Sequence, residues 1–385
     1  MELRQYTRED IEGKRVLLRC DLDVKVNNKG IVDQYHDLRL ERIVPTLNEL
    51  FFFGAMQIIL LGHRGRPGKE PNDGFSLSPV CDRLNDLCAA DGLDSTITFI
   101  EDIDIDPNSH SDDPILMLEN LRFWPGEKNQ DKSFAKKLSQ WGDVYVNDAF
   151  GGSHRKDSSM TIITQLISDS FAGTELYKEI SSLGSFLDSI NNPFVAVLGG
   201  AKIATKLPLL DILSKKADCI LLGGALANTV LASRGKNMGN SLIEESMIDQ
   251  AKKLNPEKFI VPIDAVVDSK KIVLADKIGD KESMLDIGPN TIKKFVQHMK
   301  DANTILWNGP MGKFENKEFS KGTFEIALAV SKNKKARTLA GGGETVEVVE
   351  QLGLVDEFDF VSTGGGAMLT FLAGGNMPGV DSVSK

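Results

Sequence analysis

Cations follow directly on apolar runs of this sequence. LGHRGRP sets His63, Arg64 and Arg66 after QIIL, LENLRF sets Arg122 after ILML, and NDAFGGSHRK sets His154, Arg155 and Lys156 after VYVN. Arginine forks match phosphate and carboxylate oxygens bidentately, so the pattern suits a small substrate carrying several negative charges. A second group of apolar runs ends in glycine instead: LGGAK, LGGAL, NGPMG, AGGGE and STGGGA. A glycine turn leading into a helix turns bare N–H groups and the positive end of the helix dipole toward an anion, which seats a phosphate. Lys202 and Lys206, in LGGAKIATK, fall on one face if a helix begins there. Glu344 follows three glycines in LAGGGETVEVV, where a phosphate seat should exclude an acid.

Each motif also has a plain structural reading. LGHRGRP can be a solvated loop, and LGGAKIATK a solvated helix start, since it lacks the GxxxxGK[ST] spacing. WNGPMGKFE is either a turn around a packed Trp307 or a loop whose Glu315 meets a ribose. The glycines of STGGGA fit close backbone packing as well as they fit a ligand, and Glu344 can be a first-turn acid favoured by the helix dipole. The recurrence of cations after several strands, joined by Arg39 in a helix-like segment, favours an anion site over a set of unrelated loops.

The elements that must position these residues are strands alternating with helices. RVLLRCDL, MQIILLGH, TITFIED, PILMLEN and DVYVNDAF are strand-like, then FVAVLGG, DCILLGG, KFIVPIDAVV, TILWNGP, RTLAGGG and DFVSTGGG, with helical patterns between. This predicts α/β architecture: two doubly wound parallel-sheet (Rossmann-like) domains, with ligands beyond the carboxyl ends of the strands. The first group of runs ends in charge and the second in glycine, which predicts an anion-grasping N-terminal domain and a nucleotide-cradling C-terminal one. FAGTELYKEISSLGSFLDSIN has helical spacing and a following Pro193, so an interdomain helix and hinge are expected there. The expected division is 1–172, the helix at 173–191, 192–365, and a C-terminal segment at 366–385 packing back toward the N-terminal domain.

The 385 residues suit two cores, and a formal net charge of −10 argues against nucleic acid or an anionic membrane as partner. Any anionic substrate must meet a local concentration of positive charge. Cys20, Cys81, Cys88 and Cys219 show no CxxC or Cys/His metal spacing, which predicts a reducing compartment. MELRQYTRED alternates charges where a signal peptide needs an apolar stretch, and the run Leu50 to Leu61 is too short to span a bilayer, so a cytoplasmic location is expected. Absence of HExxH and GxSxG weakens the zinc and serine hydrolase classes, and absence of GxGxxG weakens a nicotinamide oxidoreductase.

Taken in order, RCDLDV, DLRLERIVPTL, GHRGRP, SLSPV, LENLRF, DVYVNDAFGGSHR, FVAVLGGAK, LDIGPNT, TILWNGPMGKFE, FSKGT, AGGGE and STGGGA resemble the phosphoglycerate kinase family over nearly the whole chain, in its bacterial form. The resemblance implies reversible phosphoryl transfer between 1,3-bisphosphoglycerate and MgADP, giving 3-phosphoglycerate and MgATP, by a hinge-bending monomer. It implies that Asp21, Leu22, Asp23, Arg39, His63, Arg64, Gly65, Arg66, Arg122 and Arg155 bind the phosphoglycerate. Arg39, Lys202 and Lys206 would act on the transferring group. Gly200, Lys202, Lys206, Asn308, Glu315, Gly341, Gly342, Gly343, Glu344 and Thr345 would bind the nucleotide, with Glu344 on its magnesium. A relative kept for binding alone is the alternative. The chain departs from the family's usual pattern at Asp23 (asparagine), Lys25 (proline), Arg64 (an apolar residue), Asp157 (often a second histidine) and Glu344 (aspartate).

Overall fold

The computed structural model describes residues 2–33, 35, 37–67, 73–93, 95–201, 204 and 206–385. The chain divides into two compact units, 1–182 with 375–385, and 183–374.

The first unit is built on β1 (Arg15–Arg19), β2 (Gln57–Leu61), β3 (Ile97–Ile100), β4 (Ile115–Leu118), β5 (Val144–Asn147) and β6 (Ser170–Ala172). They form a parallel sheet in the order β3-β4-β2-β1-β5-β6. β2, β4 and β5 are buried along their whole length, as expected of strands covered on both faces. Because β4, β2, β1 and β5 are neighbours, the segments after them, which carry Arg122, His63, Asp21 and Arg155, emerge side by side. The order reverses at β1, opening the crevice beside β5 where such sheets bind ligands.

In the second unit, β7 (Phe194–Leu198), β8 (Cys219–Leu222), β9 (Phe259–Ile260), β13 (Thr304–Asn308), β14 (Arg337–Gly341) and β15 (Phe360–Ser362) form a parallel sheet in the order β15-β14-β13-β7-β8-β9. Its reversal lies between β7 and β13, which pair from Thr304↔Phe194 to Asn308↔Leu198. A small antiparallel sheet joins β10 (Asp264–Val267), β11 (Ile272–Leu274) and β12 (Met284–Ile287) in the order β11-β10-β12. The run KFIVPIDAVV, read as one strand, thus divides between two sheets around Pro262. Proline has no N–H for a ladder, and the chain leaves the large sheet before it.

The helix Thr174–Asp188 crosses the division between the units. Its first turn is capped from within the first unit: Asp148, just beyond β5, accepts from Glu175 N at 2.8 Å, Leu176 N at 3.0 Å and Thr46 Oγ1 at 2.6 Å. Arg42 pairs with both Glu175 and Glu179 on the same helix. Residues 375–385 belong to the first unit, where Asn147 Nδ2 donates to Gly379 O at 2.8 Å and Ser382 Oγ to Met160 O at 2.9 Å.

Removing the Asp148 carboxylate strands buried donors and uncaps the helix. Asp148→Ala is expected to lower stability by roughly 2–4 kcal/mol, read as a reduced urea midpoint at unchanged slope. An unchanged midpoint contradicts the capping role.

Candidate active site

At the carboxyl end of β1 the chain turns through Asp21 and Asp23, and both carboxylates are occupied by neighbouring groups. Asp23 Oδ1 accepts from Gly65 N at 2.8 Å, tying this turn to the one after β2. Arg39 Nη1 donates to Asp23 O at 2.6 Å and lies 3.4 Å from Asp21 Oδ1. Asp21 and Asp23 therefore hold Arg39 and the 62–67 turn. The extra charge of Asp23 meets a backbone donor.

Arg64 takes a different place from that of its neighbours. It is buried, with Nε donating to Val24 O at 3.1 Å and Nη1 to Ser76 O at 2.9 Å. Its guanidinium organises the loops instead of lying open to a ligand. Leu22 is buried against Gly62, where an added Cβ would come 2.3 Å from its Cδ1. Arg66 is exposed.

His63 and the remaining arginines converge. Arg155 Nη1 lies 3.0 Å from His63 Nε2, and Arg122 Nη1 donates to Gly65 O at 2.6 Å. Burial, then Arg155, push the Arg122 guanidinium down to about 10, and Arg122 Nε has no hydrogen-bond partner. Asp157, buried, approaches Arg122 Nη2 at 3.8 Å, beyond hydrogen-bonding distance. Burial and the surrounding guanidiniums of Arg19, Arg122, Arg155 and Arg39 hold His63 well below its usual range, so the ring is neutral near pH 7. This is a cluster of permanent positive charge with an unsatisfied donor, a setting that favours an anion.

Arg19 was not among the residues singled out from sequence, yet it is fully buried with Nη2 2.6 Å from His63 Nδ1. The signal for it is a charge closing β1 directly after the apolar run Val16–Leu18.

The second unit has a cavity of about 330 Å³ at the carboxyl end of its sheet. Its lining includes Gly200, Gly224, Pro310, Glu315 and Glu344. Close approach of the turns after β7 and β13 makes this possible: Gly200 N donates to Pro310 O at 2.9 Å, and a Cβ on Gly199 would lie 1.9 Å from that oxygen. Gly342 has φ +109°, so the chain turns from β14 into the helix Gly343–Gln351 in a conformation that only glycine adopts readily. Gly341 closes β14, and Gly343 opens that helix. Thr345 Oγ1 accepts from Gly309 N at 2.7 Å, fixing the two turns together.

Lys206, buried just before the helix Leu207–Lys216, donates from Nζ to Asn308 Oδ1 at 2.6 Å and to Asn308 O at 3.2 Å. Asn308 Nδ2 in turn donates to Gly341 O at 2.6 Å. Burial pushes the Lys206 ammonium down to about 8, with Glu344 opposing the shift. Lys202, the other lysine of the motif, lies outside the described residues. The exposed Glu344 and Glu315 carboxylates face the cavity from different turns. Leu242, Met284 and Leu285 give it an apolar wall, and Asn228 a polar one. Leu242 lies in an irregular stretch, Met284 and Leu285 on β12 and Asn228 inside the helix Gly224–Ser233, and a leucine, a methionine or an asparagine there carries no sequence signal of a ligand.

Among the described residues no group of three or more His, Cys, Asp or Glu could hold a metal. Glu344 is a single hard oxygen donor beside a phosphate-type glycine turn. This suits magnesium, which takes one or two carboxylates and fills its shell with water and phosphate oxygens.

Comparison with known proteins agrees over the full length. The sequence model of the family described as phosphoglycerate kinase matches residues 6–375. The phosphoglycerate kinase of Leptospira biflexa is 41% identical over 393 residues, covering 99% of this chain and 98% of its own. That of Desulfosudis oleivorans is 38% identical over 399 residues, covering 98% and 97%. Among solved structures, phosphoglycerate kinase from Coxiella burnetii is similar at a TM-score of 0.77 and 32% identity, covering 98% of both chains. The enzyme from Pyrococcus horikoshii OT3 is similar at a TM-score of 0.84 and 28% identity, covering 97% and 96%.

The depressed Lys206 ammonium predicts a pH dependence. Above pH 8 the free amine no longer attracts a phosphate, so ADP affinity is expected to fall about tenfold between pH 7 and 9.5. Calorimetric titration at several pH values measures it, and a flat profile contradicts a phosphate contact by Lys206.

Proposed function

The chain belongs to the phosphoglycerate kinase family, whose activity is phosphoryl transfer to a carboxyl acceptor, and we propose that the two sites described above divide this reaction between them. In the direction of ATP use, a carboxylate oxygen of 3-phosphoglycerate attacks the γ-phosphorus as the bond to the ADP oxygen breaks. The products are 1,3-bisphosphoglycerate and ADP, with no proton exchanged and no covalent phosphoenzyme.

The observation that carries the placement of phosphoglycerate is the convergence of Arg39, Arg122, Arg155 and neutral His63 beyond β1, β2, β4 and β5, with Arg122 Nε lacking an acceptor. These groups bind the anion, joined by the exposed Arg66. Asp21, Leu22, Asp23, Arg64 and Gly65 act by shaping the turns that present them. The nucleotide occupies the cavity of the second unit. Its phosphates lie against Gly200, Lys206 and the 341–343 turn, held open by Asn308 and Thr345, and its ribose against Glu315.

The transition state of phosphoryl transfer is loose, with charge spread over the transferring group, so positioned cations lower the barrier. Arg39 supplies one such cation, Lys206 another, and Lys202 a third on the strength of the motif alone. Glu344 would hold magnesium, which when bound neutralises phosphate charge. On the same resemblance we infer a cytoplasmic monomer. Among the described residues no helix is long and apolar enough to cross a membrane.

A coupled assay tests the reading: the purified chain should phosphorylate 3-phosphoglycerate with MgATP, and a folded protein without turnover contradicts it. Arg39→Ala is expected to lower kcat by roughly 100-fold or more while leaving ADP affinity within about twofold. An unchanged kcat removes Arg39 from the transferring group. Glu344→Asp should keep or raise the rate at low magnesium, whereas a large loss would mean that the metal site is built around the longer side chain.

A further inference from the structure

His63 has a guanidinium on each ring nitrogen, Arg19 Nη2 at 2.6 Å from Nδ1 and Arg155 Nη1 at 3.0 Å from Nε2. Guanidinium groups only donate, and a neutral imidazole offers one lone pair and one N–H. One of the two contacts is therefore a hydrogen bond, and the other sets an N–H against an N–H.

The surroundings of the two arginines decide which is which. Arg19 is fully buried and held from three sides. Its Nε donates to Ser159 Oγ at 3.0 Å, its Nη1 to Cys20 O, and its Nη2 reaches the histidine. Ser159 Oγ passes the interaction on, donating to Glu127 Oε1 at 2.6 Å while Ser159 N donates to Glu127 Oε2 at 2.9 Å. Glu127 and Ser159 are also fully buried. Burial pushes the Glu127 carboxyl up, but Arg19 and the two hydrogen bonds from Ser159 oppose this, and with both oxygens accepting from Ser159 the group faces the Arg19 guanidinium as a carboxylate through one hydroxyl. Arg155 is less buried and can turn from the ring.

We propose that the relay Glu127–Ser159–Arg19 fixes the Nδ1 lone pair of His63 and so presents Nε2–H to the phosphoglycerate anion, with Arg155 left to pair with the same anion. Glu127, Ser159 and Arg19 are positioning residues, and the proposal rests on the placement of phosphoglycerate given above. A neutral donor adds a hydrogen bond to a crowded cationic site without adding a charge. The charged groups facing the ring are Arg19, Arg122, Arg155 and Arg39, all of which oppose its protonation.

The test is long-range ¹H–¹⁵N correlation on the full chain labelled in histidine, with His63 assigned from its loss in His63→Gln. The expected result is an unprotonated Nδ1 and a protonated Nε2, unchanged from pH 7.5 to 5.5. A protonated Nδ1, or titration near pH 6.5, overturns the proposal without any variant of the relay. In Ser159→Ala the tautomers should mix and KM for 3-phosphoglycerate should rise about tenfold, with kcat and KM for MgATP within about twofold. Ser159→Thr should restore both the spectrum and the KM. A folded Ser159→Ala with wild-type tautomer and KM overturns the relay. If His63→Gln leaves KM for 3-phosphoglycerate unchanged, the placement of the anion fails and the functional half of the proposal with it. The wrong tautomer with a raised KM in His63→Gln contradicts the relay alone.

Discussion

Guanidinium groups repel one another, and this unit gathers Arg19, Arg39, Arg122 and Arg155 around one histidine in a chain whose net charge is −10. The neighbouring architecture follows from that constraint. Asp21 lies against Arg39, Asp157 approaches Arg122, and Glu127 balances Arg19 through Ser159. The compensation is incomplete where Arg122 and Arg155 meet His63, and there an anion stabilises the site most. Parallel strands make the gathering possible, because adjacent carboxyl ends bring short loops together without long excursions of the chain.

The second unit meets the opposite difficulty, holding phosphates with little side-chain charge. It relies on backbone approach: turns close enough that Gly199 excludes any Cβ, and a left-handed Gly342 that starts a helix. Lys206 is enclosed by carbonyl and amide oxygens of Gly199 and Asn308, which accept its N–H groups until a phosphate competes for them. Its low basicity is the consequence of enclosure, and Glu344 moderates it.

Much of this was legible in the sequence because the signals are local. Runs such as QIILL and FVAVL declare buried parallel strands, and cations or glycines directly after them declare the ligand ends. What was not legible depends on distant partners. The direction of Arg64 depends on Ser76 O and Val24 O, and that of the Asp23 carboxylate on Gly65 N. Arg19 and Ser159, 140 residues apart, meet only when β1 packs under the 158–162 turn. The split of KFIVPIDAVV was signalled by Pro262, but the antiparallel pairing with Ile272–Leu274, an exposed three-residue strand, left too little pattern to read.

The central claim is that phosphoglycerate is held by groups whose charges do not change on binding: permanent guanidiniums and a neutral histidine. Titration calorimetry of 3-phosphoglycerate at pH 7.5, in buffers of different ionisation enthalpy, measures the protons exchanged. At that pH the ligand phosphate is already largely dianionic, its second pKa being about 6. The account predicts the same apparent enthalpy in every buffer, hence close to zero net proton uptake. An uptake approaching one proton per bound ligand would mean that His63 becomes an imidazolium in the complex, and would contradict it.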